Sequence, residues 1–340
     1  MKNAFVLGAV LLFVPRAGAQ NNYTVTNIVT TAHDSRLVNP WGLSRPSSTL
    51  FKENEWWVND QVTGFSTLYD ANGTIDNLAI TIPPASGSGT GSPTGTAFNA
   101  STFDFAFATL DGTISRWNVL AKPKPGKSCL ECHVTTAAIV LNHASAGASY
   151  QGMTIAKNAT SGALTYYVAN ANGGVEAYDA TSFSPVSLPA GAFTDTKIPS
   201  TYTPAGIQAI GSDIFVTYNA SAGGATGYVD CYDTNGKLLV RLEDGWFNQP
   251  WGVAYSPANF GTFSGMILVG NTGSGLIGAY KGNGTFQGFL QSGGTDLIIP
   301  GLWGIEFGDG NTESGPTNVL YFNAGGTDQN TGIFGAIAVN

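Results

Sequence analysis

The sequence of 340 residues predicts an all-β fold made of a repeated unit. Composition is the first sign, because 45 glycines and only 11% charged residues are typical of β-rich chains with many tight turns. The second sign is a Trp-Gly pair that occurs in "VNPWGLS", "QPWGVAY" and "GLWGIEF". The third is a strand-turn-strand pattern after each occurrence, as in "WWVNDQVTGFSTLYDANG". Together they favour short strands joined by tight turns over a helical protein.

Six glycines mark the repeat when the tryptophan is not required. They are Gly42, Gly95, Gly152, Gly206, Gly252 and Gly304, at intervals of 53, 57, 54, 46 and 52 residues. A fixed period of this length predicts an array of similar units, each with room for about four short strands, as in a propeller blade. We therefore predict a six-bladed β-propeller. Glycine suits the repeat position because innermost strands crowd around the central channel, where a residue without Cβ lets backbones approach closely.

The ring also needs a closing strand. The last unit supplies only three clear strands before Asn340, whereas the segment "YTVTNIVTT" of residues 23–31 precedes the first unit and has strand composition. We predict that this N-terminal segment pairs as the outer strand of the last blade. Such pairing closes the ring without an open seam.

The first 19 residues are predicted to be a signal peptide. Lys2 gives a basic start, the run "AFVLGAVLLFV" is too short to span a bilayer, and small residues precede a cleavage site after Ala19. We expect residues 20–340 to form a single secreted propeller domain without membrane insertion. Cleavage leaves 12 basic and 22 acidic residues, a net charge of about −10, which argues against nucleic acid and anionic membranes as partners.

A small-molecule pocket is predicted at one mouth of the channel. Because strands alternate in direction, the start of each innermost strand lies on the same face as the turn between strands two and three. Trp41, Trp251 and Trp303 should therefore surround one mouth. The other predicted substrate-binding residues are Asn39, Thr94, Tyr150, Gln151 and Tyr218. Aromatic walls with a few polar groups are typical of small-molecule pockets. The alternative is that the indoles only wedge between blades as core.

Two aspartates in turns on this face are candidate catalytic residues. Asp60 and Asp111 each follow a second strand, where a carboxyl group can act as general acid or base. The alternative is that they only cap their turns, which is a common role of Asp before glycine-rich sequence.

A separate motif, "SCLECHV", contains Cys129, Cys132 and His133 in the spacing of covalent c-type haem attachment. In that interpretation His133 binds the iron, and His143 or Met153 is available as second ligand. The alternative is a disulfide between the two cysteines, favoured by an oxidising compartment. The motif lies in an insertion in blade 2, and haem needs a covering pocket, so we expect a disulfide or free thiols and no cofactor. With three histidines in the chain, we expect no histidine-based metal site.

Six sequons for N-linked glycosylation occur in the chain. They are at Asn22, Asn72, Asn99, Asn158, Asn219 and Asn283. In a chain so rich in Asn and Thr this number is close to chance, and the sequons are usable only in a eukaryotic secretory pathway.

Several segments resemble a family of secreted proteins of bacteria and fungi. They include "LVNPWGLS", "SPTGTAFN", "DGTISRWN", "YVDCYDTNGKLL" and "PWGVAYSPANFGTFSGMILVGN", and the likeness covers nearly the whole chain after the signal peptide. The resemblance implies a six-bladed propeller but little chemistry. The bacterial members lack the "CLECH" insertion, so the resemblance gives those cysteines no shared role. Some similar fungal propellers are hetero-Diels–Alderases, which join a tropolone quinone methide to a sesquiterpene such as humulene.

The resemblance to those enzymes implies a mechanism based mainly on positioning. The tryptophan-lined channel would stack a flat diene and enclose an apolar alkene, which makes a bimolecular reaction effectively intramolecular. Asp60 or Asp111 would assist the loss of water that forms the quinone methide. The expected partner is thus an apolar or aromatic small molecule. Two alternatives remain, a non-catalytic propeller that binds a sugar or a protein, and a c-type haem electron carrier.

Overall fold

We describe the protein from a computed structural model, which covers residues 21–46, 54–118 and 134–340. In these ranges the chain forms 25 strands and two short 3-10 helices, Ala144–Ala146 and Gly261–Phe263. The predicted signal peptide and the CxxCH motif of Cys129, Cys132 and His133 lie outside the described residues. Within the described ranges no helix has the length and apolarity needed to span a bilayer.

Six antiparallel sheets form the blades, numbered in chain order. Blade 1 contains β2 (Pro40–Ser44), β3 (Trp56–Asp60), β4 (Phe65–Tyr69) and β5 (Ile75–Thr81), and blade 2 contains β6 (Pro93–Asn99), β7 (Asp104–Thr109), β8 (Thr113–Asn118) and β9 (Ala138–Asn142). Blade 3 contains β10 (Tyr150–Lys157), β11 (Leu164–Asn170) and β12 (Gly174–Asp179), and blade 4 contains β13 (Tyr202–Ile210), β14 (Asp213–Ala220), β15 (Gly227–Asp233) and β16 (Leu238–Arg241).

The remaining strands complete the ring. Blade 5 contains β17 (Pro250–Tyr255), β18 (Ile267–Asn271), β19 (Ile277–Tyr280) and β20 (Phe286–Phe289), followed by a small hairpin of β21 (Gln291–Ser292) and β22 (Thr295–Asp296). Blade 6 contains β23 (Leu302–Phe307), β24 (Leu320–Ala324), β25 (Ile333–Val339) and the N-terminal β1 (Tyr23–Thr30). The innermost strands contact one another around the ring in the order β2, β6, β10, β13, β17 and β23, and β23 contacts β2 again. The six-bladed propeller predicted from the repeat is confirmed.

The predicted closure of the ring is also confirmed. Strand β1 pairs antiparallel with β25, from Tyr23 opposite Val339 to Thr30 opposite Ile333. The buried Tyr23 belongs to the core between blades 5 and 6, whereas the buried Val29 belongs to the core between blades 6 and 1. One N-terminal strand therefore joins two interblade cores.

Blade 3 differs from the expected four strands. It has three regular strands, and in the fourth position only a single bridge joins Tyr178 to Pro185. Because proline lacks the N–H needed for a ladder, a segment with Pro185 and Pro189 is a poor edge strand. Its backbone still bonds from Val186 N–H to the Ala177 carbonyl at 2.8 Å, so the edge is covered.

The six repeat glycines form a ring of close backbone contacts. A Cβ placed on each would strike the backbone of the next blade: Gly42 against Thr94, Gly95 against Met153, Gly152 against Ala205, Gly206 against Trp251, Gly252 against Trp303 and Gly304 against Trp41. The last contact returns to blade 1, so the steric requirement is cyclic. This geometry explains the spacing seen in the sequence.

Each innermost strand also carries an irregularity at the repeat glycine. The pairing register between the first and second strands shifts across this position in all six blades. A bulge of this kind bends the strand and re-aims the neighbouring side chain. In blades 1, 4, 5 and 6 the residue just before the glycine belongs to one cluster, formed by Trp41, Ala205, Trp251 and Trp303.

Candidate functional site

The structure brings three indoles of the innermost strands into contact at one mouth of the channel. The Trp41 and Trp303 rings stack with centroids 3.8 Å apart at 20°, and Trp251 meets them edge-on at 6.4 and 5.9 Å. All three are 7–9% exposed and pack against Ala205 and Leu110. The indoles therefore fill the mouth instead of standing around an open pocket. We call this cluster of Trp41, Trp251 and Trp303 the tryptophan mouth.

The tryptophan mouth is asymmetric because the residue before the repeat glycine differs between the two halves of the ring. Neighbouring blades 5, 6 and 1 place tryptophans there, whereas blades 2, 3 and 4 place Thr94, Gln151 and Ala205. Of these three residues, Ala205 packs with the indoles in one cluster. In addition, Trp251 Nε1 donates to the Gln151 carbonyl across the ring at 3.2 Å.

Left-handed backbone positions introduce each tryptophan. Asn39 (φ 48°), Gln249 (φ 53°) and Gly301 (φ 69°) each lie two residues before a tryptophan. This conformation is uncommon outside glycine, and proline disfavours helical conformations in the residue before it, yet Asn39 and Gln249 both precede proline. Such local strain is found where surrounding structure holds a functional geometry.

Amide side chains support the mouth from outside. Asn39 Oδ1 accepts from Trp303 Nε1 at 2.9 Å, and Asn39 Nδ2 donates to Gln61 Oε1 at 2.9 Å and lies 3.5 Å from Gln329 Oε1. Gln61 is half-buried and Gln329 is exposed, so the amide groups run from the buried indole to the surface. The amides of Asn39, Gln61 and Gln329 thus form a polar rim beside the indoles of the tryptophan mouth.

One buried polar atom of the tryptophan mouth has no partner among the residues that the structure describes. Trp41 Nε1 is buried, and no group in the described ranges accepts its hydrogen. Buried donors are nearly always bonded, and leaving one unpaired costs about 1–3 kcal/mol. An acceptor atom brought by a ligand could bond to this N–H only once an indole moves aside.

The channel behind the indoles is narrow. A cavity of about 20 Å³ is bounded there by Gly42, Gly252 and Gly304 of the repeat, with Thr96 and Gln208 as polar neighbours. That volume holds about one water molecule. A larger ligand would thus contact the indoles and the rim rather than enter the channel.

Not all of the other predicted binding residues reach the tryptophan mouth. Thr94 adjoins the mouth, but its hydroxyl is used by the carbonyls of Ala108 (3.2 Å) and Tyr150 (2.8 Å). Tyr218 lies instead in the core between blades 3 and 4, where its hydroxyl bonds to that of Tyr232 at 2.8 Å. The structure therefore does not bring Tyr218 to the tryptophan mouth.

Asp60, predicted as catalytic, is fully buried at the seam between blades 6 and 1. Its Oδ2 accepts from Thr67 Oγ1 at 2.8 Å, and Oδ1 has no partner within the described ranges. Burial raises the pKa of Asp60 well above its usual range; the Thr67 bond and Arg36 lower it less, and Asp34 raises it further. Burial thus favours the protonated form of Asp60, and the carboxyl group lies within the protein rather than at a surface that a substrate contacts.

Asp60 makes a definite prediction about stability. The folded state keeps a proton that the unfolded state releases above pH about 4, so the contribution of Asp60 to stability falls as pH rises above that value. As pH rises, we expect the free energy of unfolding of the wild type to fall by up to about 1.4 kcal/mol per pH unit more than that of Asp60→Asn. Urea unfolding from pH 4 to 7 measures it. Equal pH dependence in both proteins would contradict this account of Asp60.

Asp111, the other predicted catalytic residue, binds a connecting segment. Its Oδ2 accepts the Ala85 N–H at 2.6 Å, and its Oδ1 accepts from Thr109 Oγ1 at 2.5 Å. These bonds tie the connection between blades 1 and 2 to the end of β7. The contacts match the turn-capping alternative.

Tyr150, predicted as a binding residue at the mouth, is instead fully buried between blades 2 and 3, in a cluster that the sequence did not reveal. The Tyr150 hydroxyl lies 2.7 Å from His143 Nδ1 and 2.9 Å from Glu176 Oε2, and the Tyr178 hydroxyl contacts the same two groups. His143 and Glu176 are half-buried. Strand alternation offered one signal, since His143 directly follows β9, whose end lies on the same face as the start of β10.

Other candidate chemistry is limited in the described ranges. No group of three or more His, Cys, Asp or Glu side chains there is placed to hold a metal ion. Met153, a possible haem ligand by sequence, is buried in the core of blades 2 and 3. Cys231 is a buried free thiol whose pKa burial raises to about 12, helped by Asp213 and Asp230, which is typical of an inert core cysteine.

Sequence comparison finds related proteins of viral origin. The uncharacterized protein L690 of Acanthamoeba polyphaga mimivirus is 28% identical, with 93% of this chain and 84% of its own length covered. The uncharacterized protein R648 of the same virus is also 28% identical, with coverage of 84% and 72%. No protein-family profile matches the chain. The similarity to these two proteins covers most of this chain, and it does not indicate an activity.

Structural comparison agrees with the propeller fold. The PQQ-bound aldose sugar dehydrogenase of Streptomyces coelicolor has a TM-score of 0.52 to this chain, with 94% of this chain and 100% of that chain covered. Its sequence identity is 14%, so the likeness concerns the fold alone.

Proposed function

We propose that the protein is a secreted propeller that binds a small, largely apolar molecule at the tryptophan mouth. The observation that carries this proposal is the Trp41 indole N–H, which is buried and unpaired within the described ranges. A ligand with a carbonyl or hydroxyl oxygen would supply the missing acceptor and regain about 1–3 kcal/mol. Secretion is part of the proposal and is supported by the basic start and apolar run of residues 1–19.

The surroundings of Trp41 indicate the shape of such a ligand. Trp41 and Trp303 already stack face to face, so the mouth suits flat rings, which gain from offset stacking. Because the indoles are 91–93% buried and Trp41 Nε1 lies among them, a ligand must move one indole aside to reach this N–H. The amides of Asn39, Gln61 and Gln329 can then orient the polar end.

The Trp41 N–H can be tested with tropolone, a planar carbonyl compound. We expect tropolone to bind the wild-type protein and Trp41→Phe, which keeps an aromatic ring but removes the N–H, to weaken binding about tenfold. Titration calorimetry measures both affinities. Trp246→Phe is the matched control, since Trp246 is 45% exposed and stacks on Phe286 outside the mouth. Unchanged affinity in the folded Trp41→Phe protein would contradict the proposal, as would no binding of tropolone, humulene or glucose.

We further propose a catalytic form of this function, a hetero-Diels–Alder cyclisation. It is supported by the aromatic mouth and by the cluster of His143, Tyr150 and Glu176, which is joined to the mouth through the backbone of β10 and has groups that exchange protons. The mouth would hold the diene beside the alkene, and a proton-transferring group would assist the loss of water. Asp60 and Asp111, buried and turn-bound respectively, are the less suitable groups for that step.

An assay separates this activity from simple binding. The protein is incubated with a tropolone carrying a benzylic hydroxyl group and with humulene, and the adduct is measured by chiral chromatography. A single enantiomer formed faster than in buffer supports the cyclase. If the protein binds tropolone but does not accelerate adduct formation, the result supports a non-catalytic binding propeller and contradicts the cyclase.

A further inference from the structure

The hydrogen-bond cluster between blades 2 and 3 has a preferred direction. The hydroxyls of Tyr150 and Tyr178 both point to Glu176 Oε2, and a carboxylate is the strongest acceptor in the cluster. A phenol has a single hydrogen, so a hydroxyl that donates to Glu176 offers only lone pairs to His143. His143 Nδ1 lies 2.7 Å from the Tyr150 oxygen and 3.2 Å from the Tyr178 oxygen. Nδ1 is therefore the nitrogen that carries the hydrogen.

The tyrosines stay protonated throughout the pH range in which a histidine titrates. The pKa values of Tyr150 and Tyr178 are raised, mainly by burial and further by Glu176. Both hydroxyls thus remain donors, and the hydrogen bonds keep their direction from His143 through the tyrosines to Glu176. In neutral His143 the second ring nitrogen, Nε2, is left with a free lone pair.

The cluster and the tryptophan mouth share backbone. The Tyr150 carbonyl accepts from Thr94 at 2.8 Å, and the carbonyl of the next residue, Gln151, accepts from Trp251 at 3.2 Å. Strand β10 therefore contacts the tryptophan mouth through its backbone and carries the Tyr150 side chain of the cluster. Among the described residues no group bonds to His143 Nε2, and the side chain is half-buried.

We propose that His143 is a general base at this face of the propeller and that Tyr150, Tyr178 and Glu176 are its positioning residues. The substrate class is a small molecule with a hydroxyl group, and this part rests on the proposed function of the tryptophan mouth. In the step, the ligand O–H bond breaks, an Nε2–H bond forms, and the oxygen keeps the electron pair. The resulting imidazolium is stabilised by Glu176 through the tyrosine hydroxyls, and the proton later returns to a ligand oxygen.

His33 provides an internal control with the opposite hydrogen position. The backbone N–H of Thr30 donates to His33 Nδ1 at 3.1 Å, so neutral His33 carries its hydrogen on Nε2. The two histidines of the described ranges should therefore show opposite tautomers in one spectrum. Two-bond ¹H–¹⁵N correlation of ¹⁵N-labelled protein distinguishes them, with His143→Gln used for assignment.

Replacing Glu176 by glutamine is expected to reverse the tautomer of His143. Asn170 Nδ2 donates to Glu176 Oε1 at 2.7 Å, so the glutamine oxygen takes that place and its NH₂ faces the tyrosines. The hydroxyls must then accept from the NH₂ and donate to His143 Nδ1, which moves the histidine hydrogen to Nε2. We expect about a tenfold excess of the Nδ1–H form in wild type and of the Nε2–H form in Glu176→Gln, with His33 unchanged.

Chemical modification gives a second readout. The free Nε2 attacks a carbonyl of diethyl pyrocarbonate, forming N-carbethoxyhistidine with release of ethanol and carbon dioxide. We expect His143 to react about tenfold faster in wild type than in Glu176→Gln, at equal His33 rates, as followed by peptide mass spectrometry. An Nε2–H tautomer in wild type, or no change in Glu176→Gln, would overturn the proposal. Failure of tropolone to bind would leave these readouts intact and would count only against the proposed function.

Discussion

Replacing Gly206 by alanine is expected to destabilise the propeller by more than about 3 kcal/mol. A Cβ at this position would overlap the backbone carbonyl of Trp251 in the next blade. Backbone cannot rotate away as a side chain can, and a shift of blade 5 would be passed to the contact of Gly252 with Trp303. Since a domain is stable by about 5–15 kcal/mol, we expect a large loss of soluble, cooperatively folding protein. Urea unfolding followed by tryptophan fluorescence measures it.

Gly282→Ala is the matched control for this effect. Gly282 lies in the turn between β19 and β20, where an added Cβ meets nothing within 4 Å and the backbone is not left-handed. Alanine there should leave stability within about 0.5 kcal/mol of wild type, as at other surface positions. Equal tolerance of alanine at Gly206 and Gly282 would show that the close contact around the ring is not required.

Deleting residues 21–31 is expected to open the ring and cause aggregation. The deletion removes β1 and with it the fully buried Tyr23 and Val29, each worth about 1.5–3 kcal/mol of buried apolar surface. It also exposes the long edge of β25, and such an edge invites pairing with other chains. Size-exclusion chromatography of the deleted protein should therefore show aggregates. A protein that lacks only residues 1–20 is the control and should remain monodisperse.

A circular permutant separates strand loss from chain shortening. Because β1 is antiparallel to β25, the start of β1 lies beside the end of β25, and the Asn340 N–H bonds to the Asn22 carbonyl at 3.1 Å. Joining these ends by a short glycine-rich turn and opening the chain at residue 32 keeps the strand in place. We expect this permutant to unfold cooperatively like wild type. A deleted protein as stable as the permutant would contradict the closing role of β1.

The fold could be predicted from sequence because its main requirement is local and repeated. Each glycine at the repeat position is required by the backbone of the neighbouring blade, as Gly206 is by Trp251 and Gly304 by Trp41. Composition and period therefore carry the information. The repeat did not predict that blade 3 lacks a regular fourth strand, because the spacing of the repeats does not show how Pro185 weakens an edge strand.

The site could be predicted only in part, because side-chain packing joins residues from blades far apart in sequence. The Trp-Gly repeat predicted Trp41, Trp251 and Trp303 at one mouth, but not that two of the rings stack and that all three pack with Ala205. Asp60 was assigned to the site because it ends a strand on that face, and its burial depends on the seam with blade 6. His143 lies 33 residues from Glu176, and no spacing rule links them.

The most direct test of the account is a ¹⁹F spectrum of protein labelled with 5-fluorotryptophan during titration with tropolone. The chain has seven tryptophans, and single Trp→Phe variants assign their resonances. We expect the signals of Trp41, Trp251 and Trp303 to shift together and saturate, while that of the exposed Trp246 stays in place. Shifts confined to Trp246 or to other indoles outside the mouth, or no shift at any concentration, would contradict the claim that six blades assemble a ligand-binding tryptophan mouth.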